Sequence, residues 1–116
     1  TSPYYQAKSF YCINKTMEAA GLNTLQIHNH VQSFGEWGWI VGSQLYDKNQ
    51  MIEKLSSIKE LRVKNTKWLN TEALQMMCKF GKTVGDTSGI EVNSIHNPVL
   101  FKYYIKGTAF NQSFYD

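Results

Sequence analysis

Long apolar runs are missing from this chain and cysteine is scarce. No segment approaches the ~20 consecutive apolar residues that a membrane-spanning helix needs, and no stretch resembles a signal peptide. The two cysteines, Cys12 and Cys78, stand far apart without metal-like spacing. They read as free thiols of a reducing compartment, with a disulfide between them as the alternative. A charge excess of one sign is also lacking. Twelve basic and nine acidic residues leave a net charge of +3, too small a surplus to imply a nucleic-acid partner. The acidic residues are scattered singly, so no carboxylate pair is suited to acid–base work. No serine sits in a nucleophile-elbow setting, no thiol has an obvious base partner, and no glycine-rich strand-to-helix loop is present. Taken alone, the chain carries no complete active site. Internal repeats and low-complexity segments are absent too.

What is present is globular. The 116 residues, 42% hydrophobic and 14% aromatic, fit one domain with a modest core. Ser2-Pro3 is a helix-start signal, because proline suits a first turn and serine can cap it. From Gln6 to Ala20 the apolar residues Phe10, Ile13, Met17 and Ala20 recur at helical spacing, with Lys8, Lys15 and Ala19 on the far side. Gly21 is the stop. Leu25, Ile27 and Val31 then alternate with Gln26, His28, His30 and Gln32, the two-residue period of a strand with one buried face. A second, more apolar strand from Trp37 to Gly42 follows so closely that the two should form an antiparallel hairpin. Asp47 caps a helix running to about Ile58, with Met51, Ile52, Leu55 and Ile58 inward. Asn70-Thr71 opens another through Leu74, Met77 and Phe80, closed by Gly81. Residues 81–89 read as a flexible loop, Val99 to Ile105 as an aromatic-rich strand, and the last ten residues as a loose tail. The chain opens on Thr1 rather than Met, which leads to the expectation of a piece cut from something longer.

The stretch from Phe34 to Val41 is the most informative. Two glycines, a carboxylate and three aromatics fall in six residues. Alternate glycines suggest a backbone turned sharply or closely approached. A carboxylate among aromatic rings suits an organic cation, by charge and by cation–π attraction. The competing reading is a tight hairpin turn whose aromatics cap a core. Other features carry less. His28-Asn29-His30 puts two imidazoles on one side of a strand, but no further ligand stands at metal spacing nearby, so exposed strand histidines are the better reading. Gly81-Lys82-Thr83 lacks the upstream glycine of a phosphate loop. Lysines and Arg62 crowd Lys54 to Lys67, yet Glu53 and Glu60 dilute them into a solvated face or loop.

Read in order, Ser2-Pro3-Tyr4-Tyr5, Ser9-Phe10-Tyr11-Cys12-Ile13 and Ser33-Phe34-Gly35-Glu36-Trp37-Gly38-Trp39 closely resemble the C-terminal third of bacterial spermidine synthases. These are polyamine aminopropyltransferases, some of them fused to membrane spans. Glu91 to Leu100, followed by Tyr103-Tyr104, resembles the closing strand of the same proteins. The resemblance is specific over residues 1–43, weaker from 90 to 105, and thin between.

It implies an α/β fold, the C-terminal portion of a methyltransferase-like (Rossmann-type) sheet with an antiparallel hairpin and flanking helices. The chain would then be one domain: helix plus hairpin over 1–43, a helical segment over 44–89, and a closing strand and tail over 90–116. The resemblance also implies a parent enzyme, cytoplasmic or tied to membrane spans. That enzyme moves an aminopropyl group from decarboxylated S-adenosylmethionine to a polyamine. Its glycine-rich nucleoside loop and catalytic aspartate lie upstream, and this chain has neither. No catalytic residue, metal or cofactor is therefore expected here. Tyr4 and Tyr5 match the segment lining the nucleoside and amine pockets. Phe34, Glu36 and Trp37 match the loop that helps cover the polyamine, although Gln32-Ser33 replaces a proline-containing turn. The alternatives are a non-catalytic binding or assembly module of the same fold and another methyltransferase-fold enzyme. Separation from the nucleotide-binding half would leave the hairpin of residues 24–42 exposed, so a homo-oligomer through it is expected.

Overall fold

The Ser2 side chain is buried, and its Oγ accepts from the backbone N–H groups of Tyr4 (3.2 Å) and Tyr5 (3.0 Å). That serine cap winds a first turn, after which α1 (Ala7–Ala19) runs to Gly21. The glycine there has φ of +92°, the left-handed geometry expected of a helix stop. The computed structural model describes residues 1–81 and 86–109. Beyond α1 it contains β1 (Asn23–Val31), β2 (Gly35–Ser43), α2 (Lys48–Ser57), α3 (Thr71–Met77) and α4 (Val99–Ala109).

Local sequence accounts for most of these boundaries. Asp47 and Gln50 form a reciprocal capping box, each side chain accepting from the other's backbone N–H at 2.8 and 2.9 Å, which satisfies two donors that a helix start leaves unpaired. Asn70 caps α3 by accepting from the N–H of Ala73 at 2.7 Å. That helix ends at Met77, short of the expected Phe80. Among the described residues the sheet is the antiparallel pair β1–β2 alone, in register from Asn23 opposite Ser43 to Val31 opposite Gly35. The hairpin is as read from the sequence; the architecture is α/β, with four helices and two strands among the described residues.

Two expectations are corrected. Residues 99–105 are not a strand but the first part of α4. Their β-branched and aromatic side chains favour a strand, but two local features favour a helix. Pro98 has no N–H for a ladder and fits a helix start, and the Asn93 side chain accepts from the N–H of Leu100 at 3.1 Å. Packing agrees with them. Val99, Leu100 and Tyr103, at helical spacing, lie against Cys12, Tyr11 and Ile90 in a core cluster. The expected tail begins inside this helix and otherwise lies outside the described residues, as does part of the 81–89 loop.

The second correction concerns the polar side of the hairpin: Leu25 is buried as the alternation requires, at 1% exposed, but the opposite side is covered too. Thr24, Gln26 and His28 lie on the face that receives α1, not on a solvent face. Thr24 Oγ1 donates to Glu18 (3.1 Å), and Gln26 donates to Asn14 (2.5 Å), which itself donates to Glu18 (3.1 Å). Across the hairpin, Gly38 and Gly42 leave room for Phe10 and Met17 of α1. α1 therefore lies between the hairpin and α4. Lys15, read as outward, reaches back to the carbonyl oxygens of Thr87 (2.5 Å) and Ile90 (3.0 Å). Both cysteines are free thiols, and burial pushes the Cys12 thiol pKa up.

Candidate functional site

The turn joining the strands is built from Gln32, Ser33 and Phe34. The N–H of Phe34 donates to the carbonyl of Val31 at 3.0 Å. Ser33 (φ +79°) and Gly35 (φ +77°) both occupy the left-handed region. Glycine takes that conformation freely, whereas a serine there is held against its own preference. The turn fixes a register in which His30 faces Glu36 and His28 faces Gly38, so Glu36 lies diagonally beside His28 on one face of the sheet.

On that face the carboxylate is already engaged. Glu36 Oε2 lies 2.9 Å from His28 Nδ1, and Oε1 lies 3.6 Å from His30 Nδ1. His28 Nε2 contacts the carbonyl oxygen of Lys79. The His28 ring lies 4.2 Å from that of Phe80, tilted by 42°, and 5.9 Å from that of Tyr4 at a steep 82°. Burial, followed by the nearby Glu36 charge, raises the Tyr4 phenol above its ordinary pKa. Tyr5 is 57% exposed and sits beneath the turn, near Gly35.

The other face of the hairpin is apolar. Phe34 and Trp37 meet edge to face at 6.2 Å. With Val31 and Trp39 they line an open hollow of about 260 Å³. Phe34 is 72% exposed, Trp37 37% and Trp39 41%.

The five residues singled out from the sequence therefore divide. Tyr4 and Glu36 share the α1 face with His28, Tyr5 underlies the turn, and Phe34 and Trp37 stand on the opposite face. Glu36 is not enclosed by Phe34 and Trp37. The reading of both histidines as exposed holds for His30, whose side chain is 69% exposed, and fails for His28, at 16%. Sequence reasoning missed His28 and Phe80 as members of the cluster. The strand period and the turn length together contained the signal for His28. Phe80 had none, because it arrives from the far end of α3. Among the described residues no group of three or more metal-ligating side chains gathers, and no helix is long and apolar enough to cross a membrane.

Comparison with known proteins finds relatives of one kind. It is 31% identical to the polyamine aminopropyltransferase of Leptospira interrogans over 90% of its own length and 19% of that protein's. Against the polyamine aminopropyltransferase of Shewanella oneidensis it is 30% identical, over 90% of this chain and 18% of the relative. A shorter match, 44% identical over 43 residues, links it to polyamine aminopropyltransferase 2 of Ralstonia nicotianae, covering 37% of this chain and 8% of that one. No family model matches the chain, and no solved structure matches it either. Over about nine-tenths of its own length the chain is similar to polyamine aminopropyltransferases, and it spans less than a quarter of the length of these relatives. The resemblance read from its motifs is borne out.

Proposed function

We propose that this chain is the C-terminal part of a spermidine synthase-like transferase. In that reading the whole protein moves an aminopropyl group from decarboxylated S-adenosylmethionine to a polyamine amine, and works in the cytoplasm. The family match carries the proposal. The extent of the sheet supports it: the N–H of Gly38 donates to the carbonyl of Thr1 at 2.9 Å, on the edge of β2 away from β1. A backbone already docked there is what a sheet extending past β2, as in a methyltransferase-like fold, requires.

In the whole protein this chain supplies binding surface and no catalytic group. Glu36 meets a substrate ammonium and Tyr4 and Tyr5 line the approach, while Phe34 and Trp37, on the opposite face of the hairpin, form a separate apolar wall. Glu36 keeps 30% of its side chain exposed, enough for a ligand to reach it. Glu36→Gln in the full-length protein is expected to raise KM for the amine, a loss of about 1.5–3 kcal/mol for one charge-assisted contact, with folding intact. Steady-state kinetics beside a thermal melt provide the check, and unchanged kinetics would return Glu36 to a purely structural part in the turn.

The 116-residue chain by itself is expected to release no methylthioadenosine from decarboxylated S-adenosylmethionine and a diamine. Absence of a general base alone lowers rates by roughly 100-fold to 10,000-fold. Product above that of a heat-killed control would refute this. The chain is also expected to self-associate, most simply as a two-fold dimer through the hairpin. The exposed Trp37, Trp39 and Val41 form an apolar surface of the kind that finds a partner. Light scattering at high concentration reads the mass, and a clean 13.4 kDa monomer would reject the dimer.

A further inference from the structure

Both ring nitrogens of His28 face acceptors. Nδ1 is 2.9 Å from a carboxylate oxygen of Glu36, and Nε2 contacts the carbonyl oxygen of Lys79. A neutral imidazole has one N–H, so it satisfies one acceptor and turns a lone pair toward the other. Hydrogen on both nitrogens satisfies both at once. The surroundings match that state. The ring is packed with Phe80 at 4.2 Å and with Tyr4 at 5.9 Å, and an aromatic face attracts a cation more as water is excluded. A carboxylate, a carbonyl oxygen and two aromatic rings are the usual provisions for an organic ammonium. Here they surround a side chain of the protein itself.

We propose that His28 is the internal cation of this site, an imidazolium that fills the place made by Glu36, the Lys79 carbonyl, Tyr4 and Phe80. An external amine must then compete with it for Glu36. This rests on the reading of Glu36 as the amine's partner. Among the described residues, the titratable and charged groups around the ring are Glu36 from β2, His30 from β1, Tyr4 ahead of α1, and Lys79 just beyond α3. Glu36 is the anion held against the ring. The competition couples two events. When an amine takes Glu36, His28 loses its carboxylate partner, and its hold on Lys79 and Phe80 weakens. Binding at the hairpin is thereby transmitted to the segment that follows α3, 51 residues away in sequence.

Ring-nitrogen NMR of the 116-residue chain at neutral pH tests the charged state without any ligand. The expected result is hydrogen on both nitrogens of His28. A His28 ring with a single N–H, including the case in which Glu36 carries the proton, overturns the proposal. His96→Gln, at an exposed residue outside this cluster, should leave the His28 signals in place, which controls for nonspecific change. Titration with 1,4-diaminobutane then separates the two claims. If both stand, the diamine moves the His28 and Phe80 signals together, and His28→Gln binds it several-fold more tightly once the competitor is gone. If the ring is charged but His28→Gln binds the diamine no better, His28 remains the internal cation and the amine reading of Glu36 falls. Unfolding of His28→Gln would be read from its amide spectrum, and the ring-nitrogen result on the unaltered chain would still decide the charged state.

Discussion

Phe10→Ala is expected to lower the stability of the chain by about 3–5 kcal/mol, the range for deleting a buried aromatic ring. Phe10 is 1% exposed and is the largest of the fully buried side chains. Its ring fills the recess over Gly38 and meets Tyr11 edge to face at 5.1 Å. Few neighbours are free to collapse into the space it would leave. Pro3 is a rigid ring, and the strand backbone beneath is pinned by its ladder. A domain of this size has about 5–15 kcal/mol of stability in all, so the variant should be close to unfolding at room temperature. Urea denaturation followed by tryptophan fluorescence reports largely on the hairpin, since two of the three tryptophans, Trp37 and Trp39, sit in β2. A loss below about 1 kcal/mol would mean that α1 does not hold the hairpin as described.

The converse substitution is expected to fail for lack of room. A Cβ on Gly38 would stand 2.5 Å from Phe10 Cε2 and 2.9 Å from Pro3 Cδ, distances that force something to move. Both obstacles are buried rings with little freedom, so Gly38→Ala should cost about 3 kcal/mol, the upper part of the usual range for overpacking. The same clash makes the effect testable as a pair. Phe10→Leu combined with Gly38→Ala should be less destabilised than the sum of the single variants, because the smaller side chain vacates part of the space. Additive losses would show that the glycine is needed for some reason other than Phe10. The result also bears on the site, since Gly38 lies opposite His28 in the ladder and any shift of β2 there moves Glu36.

Much of this arrangement was legible in the residue order. The Ser2 cap, the Gly21 stop, the Asp47 and Asn70 caps and the hairpin are all short-range effects, in which a side chain meets backbone a few positions away. The region 99–105 was misread because Val, Phe, Tyr and Ile are strand formers and the counter-signals, Pro98 and the Asn93 cap, are subtle beside them. The polar face of β1 was misjudged for a different reason, while Leu25 on its apolar face is buried as expected. Alternation separates its two sides but does not say which side receives a helix. Here α1 settles on the polar side, since Gly38 and Gly42 provide close approach there and Asn14, Glu18, Thr24 and Gln26 satisfy one another's hydrogen bonds. Buried Thr24 and half-buried Gln26 are tolerated against α1 because those bonds are made.

The candidate site shows the same division. Sequence by itself determined the family resemblance, the tight aromatic turn, the presence of Glu36 in it and, through the strand period and the turn length, the placing of Glu36 beside His28 and opposite Trp37. Each rests on residues close together in the chain. Tertiary structure alone decided that Tyr4 joins Glu36 on one face of the hairpin and that Phe80 closes over the imidazole from beyond α3. Residues far apart in sequence meet only where packing brings their elements together, and no local preference of Phe80 encodes that meeting.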